Sequence, residues 1–303
     1  MYKFLTLLAI FCFSTLWAKV ELDGKFNWDD RKKVEKVCTG VIYTGFKLKS
    51  PRLIRASAVR VDLRAARFRF KITPRDKDWG KPMPDYPKGI VRTRRVTARK
   101  FMEDAVKNGE NMILAVNGSP WGPFHAPWTF KYAGNQGLIV SDGVLVSPVR
   151  GKRPSFVVYK DGNMEFKIFT EQDDLSNIAH AISGFGFVLR DGELTPKNNP
   201  KAKLAPRTGY GLSKDKRYMY IIAIDGRQEK YSMGANTYEV GQWLKYLGAY
   251  SGLNMDGGGS TTLILRKGKN LLKLNYHAYK QERATGFNYE RAVGGCMGII
   301  LKN

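Results

Sequence analysis

Side chains that bind transition metals or form disulfides are scarce in this sequence. Its 303 residues include only three histidines and three cysteines. The histidines, His125, His180 and His277, lie far apart and show no metal-ligand spacing. This scarcity argues against a zinc centre, and we expect neither a bound metal nor a cofactor.

A second long apolar run is also absent. Apart from residues 4–17, no stretch of the sequence is apolar and long enough to span a bilayer. That first run follows the positively charged Lys3 and ends at Ala18, a pattern typical of a secretory signal peptide. We therefore predict a signal peptide over residues 1–18 and an exported, soluble mature protein, periplasmic or extracellular. An uncleaved membrane anchor is the alternative, because Leu16 is larger than the residue usual two places before the cleavage site.

Export would determine which cysteines the mature chain keeps and whether they can form a disulfide. Cys12 would leave with the signal peptide, so the mature chain would keep Cys38 and Cys296. One pair in an oxidising compartment can form a disulfide, which would join the first structural element to the last. Two buried free thiols are the alternative. Neither cysteine has a histidine near it in the sequence, so neither is a candidate nucleophile.

Acidic residues are few relative to basic ones. The chain has 27 Asp and Glu against 51 Lys and Arg, a net charge of +24. The surplus is concentrated between Arg31 and Lys107, with 23 basic and 7 acidic residues. Such a field favours an anionic partner, whether nucleic acid, phospholipid, or a phosphate-bearing or acidic glycan. A basic, solvated surface without a partner is the alternative. No recognised nucleic-acid motif is present, and export argues against nucleic acid.

The composition excludes several other classes of protein. Hydrophobic residues make up 43% and charged residues 26%, which are ordinary values for a globular protein. A disordered chain, a collagen-like chain and a membrane protein with several spans are therefore excluded. The 31 glycines and 13 prolines imply many turns, and they favour a strand-rich fold over a helical bundle.

Periodicity predicts strands from Val41 onward and two helices. One helix begins after Thr97 and ends near Asn108, and the other runs from about Tyr238 to Leu247 with Thr237 as its cap. Asp-Gly pairs at 142–143, 161–162 and 191–192 lie between apolar segments and predict hairpins. We expect an α+β fold: a single domain over residues 40–303, with a mixed, mostly antiparallel sheet and a few packed helices, after a leader over 19–39.

The sharpest motif is a glycine-rich string over residues 254–262. Three consecutive glycines, Gly257, Gly258 and Gly259, follow Asp256 between two apolar strands. Glycines allow backbone amides to approach a ligand closely and form a nest for an anion. Asp256 would act as base, nucleophile or ligand-orienting carboxylate, and Ser260 and Thr261 add hydroxyl donors. A tight hairpin in which Asp256 bonds its own turn amides is the alternative. The spacing fits neither a P-loop nor a dinucleotide fingerprint.

This string resembles the core signature of the phosphodiester glycosidase family, that of the mannose 6-phosphate uncovering enzyme and its bacterial relatives. Further blocks similar to the family's occur in the family's order. They are Asn117 and Gly118, residues 180–184 and 191–192, residues 206–208, residues 225–227, residues 242–262, and Arg291 before the last strand. The resemblance covers about residues 40–302. Residues 119–121 and 294–296 depart from the family pattern, and residues 121–128 form a Trp-rich loop beside the expected pocket.

The resemblance implies a site that cleaves a sugar-1-phosphodiester. It implies that Arg207 and Arg227 hold the phosphate, because guanidinium groups match phosphate oxygens. Asp225 and Asp256 would form a carboxylate pair for acid–base work or a covalent intermediate, as in glycosidases. Substrate contacts would come from the remaining motif residues: Asn117, Gly118, Thr208, the three glycines of the string, Ser260 and Thr261.

Two functions from different classes follow. The first is an exported hydrolase that cleaves a glycosyl phosphodiester or a related envelope or extracellular glycan linkage. The second is a non-catalytic protein on the same fold that binds an anionic polysaccharide. Asp256, Arg207 and Asp225 favour the enzyme, because a pure binder has no need of carboxylates beside an anion.

Overall fold

The computed structural model describes residues 20–124, 130–196, 202–276 and 290–302, and the predicted signal peptide lies outside these ranges. Two α-helices are formed, α1 (Ala98–Lys107) and α2 (Thr237–Leu247), with a short 3-10 helix at Gly258–Ser260. The strands are β1 (Glu35–Cys38), β2 (Val41–Leu48), β3 (Ile54–Asp62), β4 (Phe68–Ile72), β5 (Pro82–Met83), β6 (Tyr86–Ile90), β7 (Thr93–Arg94), β8 (Met112–Asn117), β9 (Trp121–Gly122), β10 (Tyr132–Asn135), β11 (Ile139–Ser141), β12 (Val144–Ser147), β13 (Pro154–Tyr159), β14 (Met164–Ile168), β15 (Ile178–Ser183), β16 (Gly186–Arg190), β17 (Glu193–Leu194), β18 (Arg207–Leu212), β19 (Tyr218–Ile224), β20 (Ser251–Asn254), β21 (Leu263–Lys267), β22 (Asn270–Lys273) and β23 (Cys296–Leu301).

The largest sheet has eight strands in the order β1-β2-β3-β19-β18-β20-β16-β17. Its neighbouring strands are antiparallel throughout. The central β19 places Ile222 opposite Ala58 on one side and Gly209 on the other. The predicted mixed fold with mostly antiparallel strands is therefore confirmed.

Two five-stranded sheets complete the core. Their orders are β22-β21-β8-β23-β4 and β12-β11-β15-β13-β14. Apolar side chains from all three sheets form one buried cluster, for example Ile221 of the large sheet, Val116 and Ile182. A three-stranded sheet, β7-β10-β9, and the β5–β6 hairpin are added at the side. Since alternate side chains point to opposite faces, strands β2, β3, β16, β17 and β19 of the large sheet also contribute to a second core under α2.

The helices cover the outer faces of two sheets. Helix α1 is capped by the Thr97 hydroxyl, which accepts a hydrogen bond from the backbone N–H of Lys100, as predicted. Helix α2 is capped by Asn236 and not by Thr237. The reason is a capping box: the Asn236 side chain accepts from the N–H of Glu239, and the Glu239 carboxylate accepts from the N–H of Asn236. Neither helix is long and apolar enough to cross a bilayer.

All three predicted Asp-Gly hairpins form. The pairs at 142–143 and 191–192 join β11 to β12 and β16 to β17, with positive φ at both residues of each pair. The pair at 161–162 lies in the connection between β13 and β14. Two consecutive residues with positive φ match the twist of the flanking strands, which explains why these pairs could be identified from the sequence.

Residues 20–38, most of the predicted leader, pack against the large sheet and α2. Val20 is fully buried. The Trp28 indole N–H donates to the carbonyl of Leu247 at the end of α2, at 2.8 Å. Strand β1 then pairs with β2 at the edge of the sheet. This segment thus closes one end of the second core.

The predicted disulfide is not formed, and Cys38 and Cys296 are both free. Burial raises the pKa of the Cys38 thiol, and nearby charges, Arg266 among them, lower it. The Arg266 Nε donates to the carbonyl of Met112, at one end of β8, whereas Cys296 pairs with Asn117 at the other end. Those ends are ~17 Å apart at the usual rise per residue, and a disulfide needs Cα atoms within ~7 Å.

Candidate active site

The glycine-rich string forms the turn between β20 and β21, and it meets the ends of two other strands. The N–H of Met255 donates to the carbonyl of Thr208 at 2.9 Å, at the start of β18. The N–H of Asp256 donates to the carbonyl of Gly118 at 2.9 Å, just after β8. Main-chain hydrogen bonds therefore fix Asp256 between two sheets.

Asn117 holds this junction together. Its Nδ2 donates to the carbonyl of Asp256 at 2.6 Å. Its Oδ1 accepts from the Thr208 hydroxyl at 2.8 Å and from the N–H of Thr262 at 3.0 Å. Asn117 and Thr208 are almost fully buried. Their polar atoms are thus engaged with the chain itself, in place of the substrate contacts implied for them.

Gly118 lies where a side chain would overlap a neighbouring residue. A Cβ at this position would lie 2.1 Å from the Cδ1 atom of Ile182, far inside van der Waals contact. Its N–H donates to the carbonyl of Gly295 at 2.9 Å. Gly118 therefore leaves room for Ile182 of β15 at the end of β8.

The Asp256 carboxyl is buried, with 7% of the residue exposed. Burial raises its pKa to about 6, while Ser260, the Gly257 N–H, Arg291 and Trp121 act in the opposite direction. Removal of a carboxylate from water disfavours its charged form, and a nearby guanidinium restores part of that loss. A carboxyl that titrates near pH 6 is suited to acid–base or nucleophilic work at neutral pH.

Several buried polar atoms around Asp256 lack a partner with full hydrogen-bond geometry among the described residues. They are Asp256 Oδ2, Asn254 Oδ1, the hydroxyls of Ser260 and Thr261, and the indole N–H of Trp121. Ser260 and Trp121 nevertheless lie close enough to the Asp256 carboxyl for weaker hydrogen bonds that lower its pKa. Buried polar groups are nearly always paired in folded proteins, and each exception calls for an explanation. A concentration of such atoms at one carboxylate is what a ligand-binding site requires, because a polar ligand would supply the partners.

The amides of the string do not form the open anion nest that was predicted. The N–H of Gly257 donates to Asp256 Oδ1 at 3.0 Å, and the N–H of Gly258 donates to the carbonyl of Pro206 at 2.9 Å. The amides of Ser260 and Thr261 donate to carbonyls within the turn. These four donors are satisfied by the chain, because the short 3-10 turn at Gly258–Ser260 folds back on itself. Gly259, inside that turn, is buried.

Two guanidinium groups flank the turn. The two terminal guanidinium nitrogens of Arg227 lie 3.1 Å from the place that a Cβ of Gly258 would occupy. This exposed side chain therefore covers the glycine. Arg207 is held beneath it: its Nε donates to the carbonyl of Ala235 and its NH2 group to that of Lys203. Burial lowers the pKa of Arg207, and the charge of Arg227 lowers it further. Two cations side by side form a site for a doubly charged or bidentate anion.

Asp225 lies in a different environment from Asp256. Its Oδ1 accepts from the N–H of Tyr276 at 2.8 Å, and burial raises its pKa to about 7, while Tyr276 and Tyr231 act in the opposite direction. It lines a cavity of about 550 Å³ with Arg55 and Tyr231. Strand β18 separates β19, which leads to Asp225, from β20, and the groups that shift the two pKa values are different. The two carboxyl groups thus have different neighbours, and their action as a pair stays a prediction.

Two residues beside Asp256 had no assigned role in the sequence-based site. Arg291 is buried, and its charge lowers the pKa of Asp256. The Trp121 indole lies against the same carboxyl, also lowering its pKa. The position of Arg291 before the last strand and the Trp-rich loop were visible in the sequence. What was not visible is that β23 and β8 are paired, which carries both residues to the carboxylate.

Metal binding has no support in the part of the chain that the structure describes. There, no three His, Cys, Asp or Glu side chains are grouped so that they could hold an ion. The polar groups at Asp256 are a carboxylate, hydroxyls, an indole N–H and guanidiniums. This donor set matches a phosphate and sugar hydroxyls.

Comparisons with known proteins point to one family. The profile of the phosphodiester glycosidase family matches residues 110–300, more than half of the chain. N-acetylglucosamine-1-phosphodiester alpha-N-acetylglucosaminidase from mouse is 26% identical over 149 residues, 43% of this chain and 28% of that protein. The bovine protein of the same name is 25% identical over 202 residues, 60% of this chain and 36% of that protein. The chain thus spans about a third of the length of these curated relatives.

Solved structures share the fold. The catalytic domain of the zebrafish N-acetylglucosamine-1-phosphodiester alpha-N-acetylglucosaminidase, auto-inhibited by its pro-peptide, superposes with a TM-score of 0.57 at 20% identity. The match covers 89% of this chain and 85% of that chain. A Burkholderia pseudomallei protein that carries the name "Putative exported protein" matches with a TM-score of 0.53 at 13% identity, over 86% of this chain and 74% of that one. At these identities the likeness concerns the fold alone.

Proposed function

The chain belongs to the phosphodiester glycosidase family, and on that premise we propose that it is an exported hydrolase of glycosyl phosphodiesters. It would cleave the bond between the anomeric carbon of a sugar and a phosphodiester oxygen. The observation that carries the proposal is the buried Asp256 carboxyl, whose Oδ2 has no partner of full hydrogen-bond geometry among the described residues and which lies beside Ser260, Trp121 and Arg291.

Arg227 and Arg207 would bind the phosphate. They flank the glycine turn that follows Asp256, and their like charges are most stable with an anion between them. Arg227 is exposed and free to adjust, whereas Arg207 is held by main-chain carbonyls. Arg227 would contact the diester first, and Arg207 would fix the position of the phosphate.

Asp256 would act as general base or nucleophile. A phosphodiester leaves as a phosphate monoester whose charge is spread over several oxygens, so its departure needs cations more than a proton donor. The remaining task is to deliver water or a carboxylate oxygen to the electron-poor anomeric carbon, which a carboxylate performs in glycosidases. A pKa of about 6 keeps Asp256 largely ionised at neutral pH.

Ser260, Thr261 and Trp121 would contact the sugar. Their hydroxyls and indole N–H are buried donors near the carboxylate, none of them in a hydrogen bond of full geometry among the described residues, and an aromatic ring offers an apolar face to a sugar ring. Asn117 and Thr208 would act only through Asp256, by fixing its main chain. Asp225 would lie outside the reacting groups.

Export and an envelope or extracellular glycan as substrate belong to the same proposal. The signal-peptide pattern over residues 1–18 and the name of the Burkholderia pseudomallei structural neighbour support export. The relatives named for N-acetylglucosamine-1-phosphodiesters make that sugar the first to test.

The test is turnover by the purified chain on a panel of sugar-1-phosphodiesters, beginning with N-acetylglucosamine, and on p-nitrophenyl glycosides. Asp256→Asn is assayed beside it, and Asp23→Asn, an exposed carboxylate, is the matched control. We expect hydrolysis of a phosphodiester that Asp256→Asn loses by a factor of at least about a thousand, while Asp23→Asn keeps it.

A binding protein for an anionic polysaccharide is the second candidate, favoured by the net charge of +24. It predicts no turnover on any substrate and equal glycan binding by the parent and Asp256→Asn. That result would remove Asp256 from any catalytic role.

A further inference from the structure

A basic cleft lies next to the candidate active site. It has a volume of about 600 Å³ and is lined by the β5–β6 hairpin, the segment after β9, the end of β10 and the residues that follow β12. Lys88, Arg92 and Arg150 contribute positive charge, and Glu171 is the one acidic side chain on its wall in the described residues. We refer to it as the basic cleft.

Arg92, which lines the cleft, lies against an aromatic ring. Arg75 and Arg92 both lie over the ring of Trp79, with guanidinium carbons 3.7 and 5.0 Å from its centroid. The Trp79 N–H donates to the carbonyl of Val146 at 2.7 Å, which fixes the ring. Burial lowers the pKa of Arg92, and the charge of Arg75 lowers it further. In the described residues neither guanidinium has a carboxylate within ion-pair distance.

A second pair of arginines lies at the same cleft: Arg150 lines it, and Arg153 bonds a residue of its lining. Burial lowers the pKa of Arg153, and the charge of Arg150 lowers it further. The NH2 group of Arg153 donates to the Oε1 of Gln136, a cleft residue. Two close pairs of like charge around one cleft are costly unless an anion lies between them. Their arrangement favours a phosphate-bearing ligand, since planar guanidiniums bind phosphate oxygens two at a time.

Exposed aromatic side chains line the same cleft. Tyr86 is 37% exposed and Phe124 is 53% exposed, and both are cleft residues. A sugar chain with phosphate groups would contact such a surface. The aromatic rings would cover the sugar faces, and the neighbouring cations would bind the phosphates.

Phe124 connects the basic cleft to the candidate active site. Its ring centroid lies 5.5 Å from that of Trp121 in an edge-to-face arrangement, and the Arg291 guanidinium lies 5.5 Å from its centroid. Trp121 and Arg291 are the two groups found beside Asp256. A ligand that passes over Phe124 would therefore extend from Asp256 into the cleft.

We propose that the basic cleft binds a second, phosphate-bearing unit of the substrate, so that the enzyme prefers sugar chains joined by repeated phosphodiesters over small diesters. This inference rests on the proposed function, because it assigns the cleft to the same substrate. Single-stranded nucleic acid has similar chemistry, but the continuity with Asp256 through Phe124 favours the glycan.

The test compares two substrates, N-acetylglucosamine-1-phosphate methyl diester and a tetramer of N-acetylglucosamine joined by phosphodiesters. The variant is Arg92→Gln/Arg150→Gln, and Arg64→Gln/Arg190→Gln, exposed arginines elsewhere, removes the same charge as a control. We expect KM for the tetramer to rise about tenfold or more in the first variant, with kcat and the methyl diester unaffected. The control should behave as the parent, and melting temperatures show that each variant folds.

Binding measurements separate this inference from the proposed function. Calorimetric titration of the tetramer needs no turnover, so the cleft is supported if the first variant binds it about tenfold more weakly, even where no substrate is cleaved. Turnover with the same KM for the tetramer in all three proteins would overturn the proposed role of the cleft. It would leave the proposed hydrolase activity unaffected. Tighter binding of an oligothymidylate of equal charge than of the tetramer would also overturn it, in favour of nucleic acid.

Discussion

The side-chain amide of Asn117 donates to the main-chain carbonyl of Asp256 at 2.6 Å. Asn117 ends a strand of one sheet, and Asp256 follows a strand of another. The same amide's oxygen accepts from Thr208 and Thr262. One buried side chain therefore sets the position of the carboxylate relative to both sheets.

Loss of this contact should reduce kcat more than it raises KM. Asn117→Ala removes three hydrogen bonds in the core, and we expect the free energy of unfolding to fall by about 3 kcal/mol. Asp256 would lose its fixed position, so kcat should fall by at least about tenfold. Thr208→Val is the matched variant, because it removes one of these bonds at constant shape and should cost about 1 kcal/mol. Steady-state kinetics measure kcat and KM, and urea denaturation measures the free energy of unfolding. An unchanged kcat in Asn117→Ala would contradict a positioning role.

Gly258→Ala should weaken substrate binding. Gly258 has a φ of +64°, and its added Cβ would meet the Arg227 guanidinium at 3.1 Å, so the methyl group would displace the proposed phosphate ligand. We expect KM to rise about tenfold with little change in kcat. Gly268→Ala is the control: its φ is +61°, and nothing lies within 4 Å of the added Cβ. Both variants should lose about 1 kcal/mol of stability through backbone strain. A KM that rises equally in both would show that strain, and not Arg227, is responsible.

The pH profile should report Asp256 as an ionised carboxylate. Its pKa of about 6 predicts that kcat/KM rises with pH and levels off above that value, because the base or nucleophile must lose its proton. Arg291→Gln removes a charge that lowers this pKa, so the midpoint should move to higher pH. Arg291→Lys keeps the charge and should leave the midpoint near its original place. A profile that falls through pH 6 would identify Asp256 as a general acid instead.

Asp225 should make the protein less stable as pH rises. Its folded pKa is about 7 against an ordinary value of 3.8, so between these values the unfolded chain has lost a proton that the folded chain keeps. The free energy of unfolding therefore decreases from about pH 4 to pH 7, by up to about 4 kcal/mol for this group.

The Asn variant isolates that contribution. Asp225→Asn resembles the protonated carboxyl and can still accept from the N–H of Tyr276. Its stability relative to the parent should increase over this pH range, as measured by urea denaturation at pH 4.5, 6 and 8. Asp23→Asn is the control. A difference between Asp225→Asn and the parent that does not vary with pH would mean that Asp225 is ionised in the folded protein.

Reductant should not change the melting temperature of the purified chain. Cys38 and Cys296 are both free, and Cys296 is fully buried while Cys38 is partly exposed. In a titration with a chromogenic thiol reagent, Cys38 should react in the folded protein and Cys296 only after denaturation. Cys38→Ser should abolish the first reaction. A melting temperature lowered by reductant would show that the two are bonded after all.

The elements that the sequence predicted well are those defined by local chemistry. Thr97 and the Asp-Gly turns were found because a cap or a positive φ depends on neighbouring residues alone. The cap of α2 was placed one residue late, because Glu239, the partner that identifies Asn236, was not considered. Asp256 stands out in the sequence because three glycines after it mark a turn that packing does not explain, and its catalytic role stays a prediction.

The errors concern contacts between distant segments. That Asn117 bonds the main chain of Asp256 depends on the approach of β8 to the turn after β20. The separate environments of Asp225 and Asp256 depend on the insertion of β18 between β19 and β20. The failed disulfide depends on which end of β8 each cysteine approaches. Such placements follow from strand order, which residue types at single positions do not encode.

The order in which the strands are synthesised delays assembly of the site. Strand β23, made from residues 296–301, lies between β8 and β4 and bonds to both. Until the ribosome has released this strand, β8 lacks one of its two neighbours, and the loop of Asp256 has no completed sheet beneath it. A chain with such long-range pairing folds slowly and late. Asp256 therefore reaches its final surroundings only after residues 296–301 have been made.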